Sequence, residues 1–142
     1  MAPGELAAIT EVLVRRYRCQ RCGAVSWTAP GDVLPRYLYS GPAMGWALAL
    51  FCIANFSVSR VRGKVCVWRR AGASAHGRWT TLRRWLRKGK HGDLFGWVPW
   101  RLAAGCARMQ LRPLATALAA RAPPDYESLP LHDRSFYGAR AM

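Results

Sequence analysis

Residues 75–90 read AHGRWTTLRRWLRKGK. Trp79, Leu82, Trp85 and Leu86 recur at steps of three and four, which lines one face of a helix with apolar side chains. Arg78, Arg83, Arg84, Arg87 and Lys88 fill the remaining surface, and no acidic residue lies among them to neutralise them. The spacing predicts a helix over 77–88. Such a helix needs a core under one face and an anionic partner over the other. DNA backbone suits the second role, because Lys and Arg gain affinity there by displacing condensed counterions. The alternative is a solvated face covering a small helical core.

Upstream, Ser40 can cap a helix over 42–54, with Pro42 in the first turn, where a missing N–H costs nothing. Ala43, Trp46, Ala47, Leu50 and Phe51 form its stripe, and Leu48, Cys52 and Ile53 widen it, so the helix is expected to be buried on most sides. The apolar run Ala43–Ala54 would make roughly 18 Å of helix against about 30 Å of membrane hydrocarbon, so it reads as core. Asn55-Phe56 breaks the pattern. Ser57 then caps a helix over 58–65, with Val58, Val61 and Val65 on one side and Arg60, Arg62 and Lys64 on the other. An apolar helix, a short turn and a capped basic helix form the front of a helix-turn-helix. Residues 66–75 read as an irregular insert, so either the helix at Val58 reads DNA or the insert displaces that role to the helix at Trp79.

Before these helices, residues 11–19 (EVLVRRYRC) alternate in part and predict a short strand, and residues 24–28 a returning strand. Between them stands Cys19-Gln20-Arg21-Cys22-Gly23. Two thiolates at this spacing can grip one tetrahedral ion, and the glycine permits the tight turn that aims amides at sulfur. Pro30-Gly31-Asp32 reads as a turn, and residues 33–39 as an extended connector around Pro35. A structural zinc takes four ligands, and the pair supplies half. Cys52, Cys66, Cys106, His76, His91 and His132 are the remote choices, none at ligand-like spacing. The cofactor expected is zinc on a partial ligand set, Cys19 and Cys22; the alternative is a knuckle without its metal.

Downstream, Gly89–Gly92 should end the basic helix. Helices are expected over 101–110 and 113–120, broken at Arg112-Pro113. Pro123-Pro124 should stop helix formation, leaving residues 125–142 as a tail with little apolar periodicity.

Charge follows the same layout. Twenty-two Lys and Arg face seven Asp and Glu over 142 residues, a formal net charge of +15. From Val12 to Gly92 a single acid, Asp32, stands against sixteen basic residues. Only Lys64, Lys88 and Lys90 are lysines, and the other nineteen are arginines, which suit bidentate phosphate and guanine contacts. Interleaving with Trp and Tyr favours a folded nucleic-acid-binding surface over a solvated tail. Five cysteines and no basic, apolar leader at the N-terminus argue for a reducing, cytoplasmic compartment, with nucleoid association following from the charge.

The run Arg15-Arg16-Tyr17-Arg18-Cys19-Gln20-Arg21-Cys22-Gly23 is followed by Leu34-Pro35-Arg36-Tyr37, Tyr39-Ser40, Ser57, Val61 and Thr81-Leu82-Arg83-Arg84-Trp85. In this order they resemble the N-terminal region of insertion-sequence transposases and their short relatives. That family carries a zinc ribbon, a Leu-Pro connector and a helix-turn-helix ending in a Thr-Leu-x-Arg-Trp-like helix. The family's first knuckle does not precede Cys19, and its catalytic domain has no counterpart. The resemblance covers about residues 13–88 and implies a mobile-element, transposase-like DNA-binding module.

The fold class expected is mainly α: a helix-turn-helix-like helical domain preceded by a small zinc-ribbon-like strand pair and followed by a disordered C-terminal tail. The organisation expected is a degenerate zinc-ribbon-like segment (1–36), a basic helix-turn-helix-like domain (37–92), a helical extension (93–121) and the tail (122–142). No enzymatic role is expected. Strand transfer needs converging carboxylates, whereas Asp32, Asp93, Asp125, Glu127 and Asp133 are scattered. Cys19 and Cys22 amid arginines would be acidic thiols, but no His or acid is placed to complete a nucleophile. The DNA-binding residues expected are Arg60, Arg62, Lys64, Arg78, Arg83, Arg84, Arg87 and Lys88. The partners expected are double-stranded DNA, and a second copy of the chain or a transposase, with no membrane. The alternative is a non-enzymatic protein binding RNA or an acidic protein.

Overall fold

In the computed structural model, residues 3–5, 8–28, 39–66 and 79–140 are described. The apolar run becomes α1, Gly41–Cys52, and the Ser40 hydroxyl accepts from the Ala43 amide at 3.4 Å, capping it as the sequence predicts. Every residue from Gly41 to Leu50 is buried, as is Cys52. A helix apolar all round must be covered all round, and α1 packs against each of the four other helices. It stops at Cys52, short of the expected Ala54. Asn55 takes the left-handed conformation (φ 58°), and the Phe56 amide turns back to the Leu50 carbonyl at 3.0 Å.

The second helix, α2, spans Val58–Val65, with Ser57 capping through the Arg60 amide at 3.3 Å. Val61 and Val65 enter the core. The third, α3, is Thr80–Lys90, with Trp79 at the N-cap position. Gly77 and Arg78, where its start was expected, lie outside the described residues, as do the turn at Pro30-Gly31-Asp32, the Leu34-Pro35-Arg36-Tyr37 stretch of the connector and most of the insert. The helix runs through Gly89 and ends at Lys90, two residues past the expected end and within the Gly89–Gly92 stretch expected to terminate it. Gly92 takes φ 78°, its amide bonds the Gly89 carbonyl at 3.0 Å, and the Asp93 amide bonds that of Lys88 at 2.9 Å. These are the paired closing bonds of a glycine-terminated helix.

Two expectations are corrected. Helices over 101–110 and 113–120 were predicted, but one helix, α4, spans Ala107–Ala120 with Pro113 inside it. Proline within a helix costs about 3 kcal/mol. Leu111, Leu114 and Leu118 are buried on α4, at roughly 2 kcal/mol each, and their gain exceeds that cost. Nor do residues 125–140 form a tail. A 3-10 turn at Pro124–Tyr126 leads to α5, Leu131–Gly138, which packs on α1 and α4. The helix shows little periodicity because close approach stands in for bulk. A Cβ at Gly138 would overlap the Leu118 carbonyl, and Ala139 meets Gly45 of α1. Phe136 supplies the one large buried apolar side chain of α5. Ser135, also buried, donates to the Ala115 carbonyl at 2.9 Å, and Asp133 accepts from Trp46 Nε1 at 2.8 Å.

The strand pair forms, shorter than predicted. β1, Arg15–Arg18, pairs antiparallel with β2, Val25–Thr28, in the register Arg15↔Thr28 to Arg18↔Val25. Residues 11–14 carry no regular structure. Among the described residues no helix is long and apolar enough to cross a membrane.

Candidate nucleic-acid interface

α3 sorts into two faces, with Leu86 half-buried at their border. Leu82, Trp85 and Gly89 are buried, and Trp79 at its cap is nearly so. Arg83, Arg84, Arg87, Lys88 and Lys90 are exposed. Its rotation is set from below by aromatic packing. Trp85 stands edge-on to Trp79 at 5.4 Å and to Tyr39 at 5.0 Å, and Tyr39 is edge-on to Trp79 at 6.2 Å. At the other end, a Cβ on Gly89 would meet the methyls of Leu111 and Leu114 at 3.4 Å, so α4 packs directly on the backbone there. Lys90, in the last turn, belongs to this cationic face, although the spacing argument did not single it out. Arg78 lies outside the described residues.

On α2, Arg60 and Lys64 are exposed and Arg62 is half-buried. The Arg60 guanidinium lies 3.8 Å over the Phe56 ring. A cation stacked this way keeps its donors at the ring edge and loses little entropy when it meets phosphate.

Tyr39 ties the two basic helices together. Its hydroxyl donates to Cys66 Sγ at 3.2 Å at the C-cap of α2, while its ring packs on Trp79 and Trp85 of α3. Burial first, and then the bond to Cys66, push the Tyr39 phenol up, and the nearby Arg62 charge partly opposes them.

The turn between α1 and α2 is braced by a residue that the sequence analysis passed over. Arg108, at the start of α4, donates to the Phe56 carbonyl at 3.0 Å and the Asn55 carbonyl at 3.3 Å. Its guanidinium also covers the Phe51 ring at 4.4 Å. These carbonyls follow α1, where helical partners have run out. No local signal marks Arg108, because its partners are more than fifty positions away.

At the tip of the strand pair, the Cys19 amide donates to the Ala24 carbonyl at 2.7 Å and the Gly23 amide to that of Cys19 at 2.9 Å. Gly23 has φ 72°, a conformation glycine takes freely. Cys19 and Cys22 are both exposed. The Cys19 thiol is held below its ordinary range by the Cys22 amide, then by the Arg21 amide and the Cys22 side chain. The remote ligand choices are placed elsewhere. Cys52 is buried in α1, Cys66 accepts from Tyr39, and Cys106 stands at the N-cap position of α4 without a side-chain capping bond, its thiol lowered by the nearby Met109 and Arg108 amides. His91 caps α3, His132 stands 3.6 Å from Asp133, and His76 lies outside the described residues. Among the described residues no group of three or more His, Cys, Asp or Glu is arranged to hold a metal.

No protein-family model, no curated protein and no solved structure matches this chain.

Proposed function

We propose that this chain is a DNA-binding module that grips duplex DNA through α2 and α3 and performs no strand transfer. The observation that carries the proposal is the α3 face: five exposed cations over a helix whose opposite side is locked in the core. Among the described residues no carboxylate pairs with Arg83, Arg84 or Arg87. Without internal neutralisation, the attraction to a polyanion is kept for the partner. The helix-turn-helix-like succession of α1 and α2, and the resemblance to transposase N-terminal regions, support DNA over other polyanions. In this arrangement most contacts are to phosphate, with one or two arginines of α2 or α3 reaching base edges in the major groove. The large apolar side chains of α3 point into the core, which argues against base stacking on a single strand.

The test is fluorescence anisotropy of the 142-residue chain with duplex DNA, single-stranded DNA and structured RNA across a salt series. Duplex is expected to bind best. Arg83→Ala with Arg84→Ala should weaken binding and lower the salt slope by about two, at about 0.9 per phosphate contact. Unchanged duplex affinity with circular dichroism intact would refute the role of α3. Preference for structured RNA would replace the DNA reading.

A further inference from the structure

We propose that the β1–β2 strand pair is a further DNA-contacting element, a two-stranded ribbon that lies in the major groove beside the duplex segment held by α2 and α3. The inference rests on the DNA-binding reading above and adds a contact outside it. Arg15, Arg16 and Arg18 lie on β1 and Arg21 in the turn that follows, and all four are exposed. Residues 12–28 contain no Asp or Glu. A basic segment without acids is matched to a polyanion, and phosphate is the group that arginine forks fit.

The register sorts these residues by face. Arg15 stands opposite Thr28, and Tyr17 opposite Ser26. Directly opposed residues of an antiparallel pair share a face. That face carries Arg15, Tyr17, Ser26 and Thr28, each exposed and each able to hydrogen-bond. Arg16 and Arg18 alternate to the other face. Paired strands stand about 4.8 Å apart, and the major groove, about 12 Å wide, admits a two-stranded ribbon. With the first face turned inward, Arg15 can fork onto a guanine, and Tyr17, Ser26 and Thr28 meet base edges or phosphate oxygens. The Arg18 guanidinium lies over the turn, with Nη2 3.9 Å from where a Cβ on Gly23 would stand. Arg18 and Arg21 therefore share the tip, where they reach phosphates at the groove rim.

Chain length sets the reach. Ten residues separate Thr28 from Tyr39, whose ring packs on Trp79 and Trp85 of the α3 region. At about 3.3–3.6 Å per residue, Thr28 and Tyr39 can stand no more than about 40 Å apart. One turn of duplex is about 34–36 Å. The ribbon and the α2–α3 surface can therefore occupy one duplex within about a turn of each other, and whichever binds second does so intramolecularly.

The test is fluorescence anisotropy of the full chain across a salt series, with hydroxyl-radical footprinting, on a duplex of about three helical turns. The parent chain should protect two patches. Arg15→Ala with Arg18→Ala and Arg21→Ala should erase one patch and lower the salt slope by about two to three, at about 0.9 per phosphate contact. Its helical circular dichroism should be unchanged, because every β1 residue is exposed. Ser26→Glu removes no arginine but turns a like charge to the phosphates, and should weaken binding about tenfold. Arg101→Ala with Arg112→Ala and Arg140→Ala removes the same charge from exposed positions elsewhere, and should keep both patches. An equal fall of the salt slope in this control, or an unchanged slope and footprint in the ribbon variant, would overturn the ribbon's role. Failure of the α3 reading looks different: Arg83→Ala with Arg84→Ala would leave binding intact while the ribbon variant still loses its patch. A parent chain that binds no duplex, or prefers structured RNA, would overturn both.

Discussion

Replacing Arg108 by Ala should cost the protein about 2 kcal/mol, although no spacing in the sequence marks the residue. The magnitude follows from its three contacts. The part-buried bond to the Phe56 carbonyl, 3.0 Å long with a charged donor, is worth about 1.5 kcal/mol. The bond to the Asn55 carbonyl is exposed at 3.3 Å; water replaces it at little cost, and it is counted as about zero. The guanidinium over Phe51 at 4.4 Å adds roughly 0.5–1 kcal/mol. At about 3–5 °C per kcal/mol for a domain of this size, Tm should fall by about 6–10 °C. Arg108→Lys keeps the charge but cannot fork between two carbonyls, and should recover less than half of the loss. Urea denaturation followed by circular dichroism and tryptophan fluorescence gives both numbers. A loss under about 0.5 kcal/mol for Arg108→Ala would mean that the turn holds itself, through Asn55 and the Ser57 cap alone. The bracing account would then be wrong.

Two glycines should respond in opposite directions. Gly138→Ala places a methyl on the Leu118 carbonyl and should cost at least about 2–3 kcal/mol by forcing α5 off α4; a denaturation midpoint equal to the parent would refute that packing. Gly63→Ala on α2 meets nothing within 4 Å and should gain about 0.5–1 kcal/mol. Alkaline pH should destabilise the protein through Cys52. Burial pushes this thiol up to about 12 from 9.0, with Arg108 partly opposing. The folded state keeps its proton where the unfolded chain ionises, so this stability is whole below pH 9 and is lost as pH rises towards 12, at up to about 1.4 kcal/mol per pH unit. Cys52→Ala should flatten the fall of the urea midpoint between pH 9 and 11, and an unchanged slope would refute the assignment.

How legible each element was depended on where its stabilising partners lie. For α1 and α2 they are local. The hydroxyls of Ser40 and Ser57 cap from the adjacent residue, and the apolar positions repeat within the helix itself. The face of α3 was legible for the same reason, down to Leu82 and Trp85 entering the core. The merger of two expected helices into α4 was not. Proline's cost is local, whereas the burial that exceeds it comes from α1, α3 and α5. Nor was α5 legible, since its packing depends on Gly138 and Ala139, which contribute no hydrophobic pattern, and on Asp133 meeting Trp46 from 87 positions away.

The direction in which α3 presents its cations is a property of the core. Lys and Arg have long, flexible stems and could not hold the helix in one rotation. Trp85 can, because it is wedged against Tyr39 and Trp79, and Gly89 can, because the Leu111 and Leu114 methyls of α4 close over it and leave room for no more than a Cβ. Shifting the helix by a third of a turn would bring a cation into the place of Trp85 and leave a charge buried without a partner, at a cost of several kcal/mol. The same wedge carries Tyr39, whose hydroxyl reaches Cys66 at the end of α2. The orientations of the two basic helices are therefore coupled through one buried aromatic cluster. A lesion at Trp85 should disturb the α2 cations together with those of α3, whereas the exposed Arg83 and Arg84 can be removed with the fold left standing.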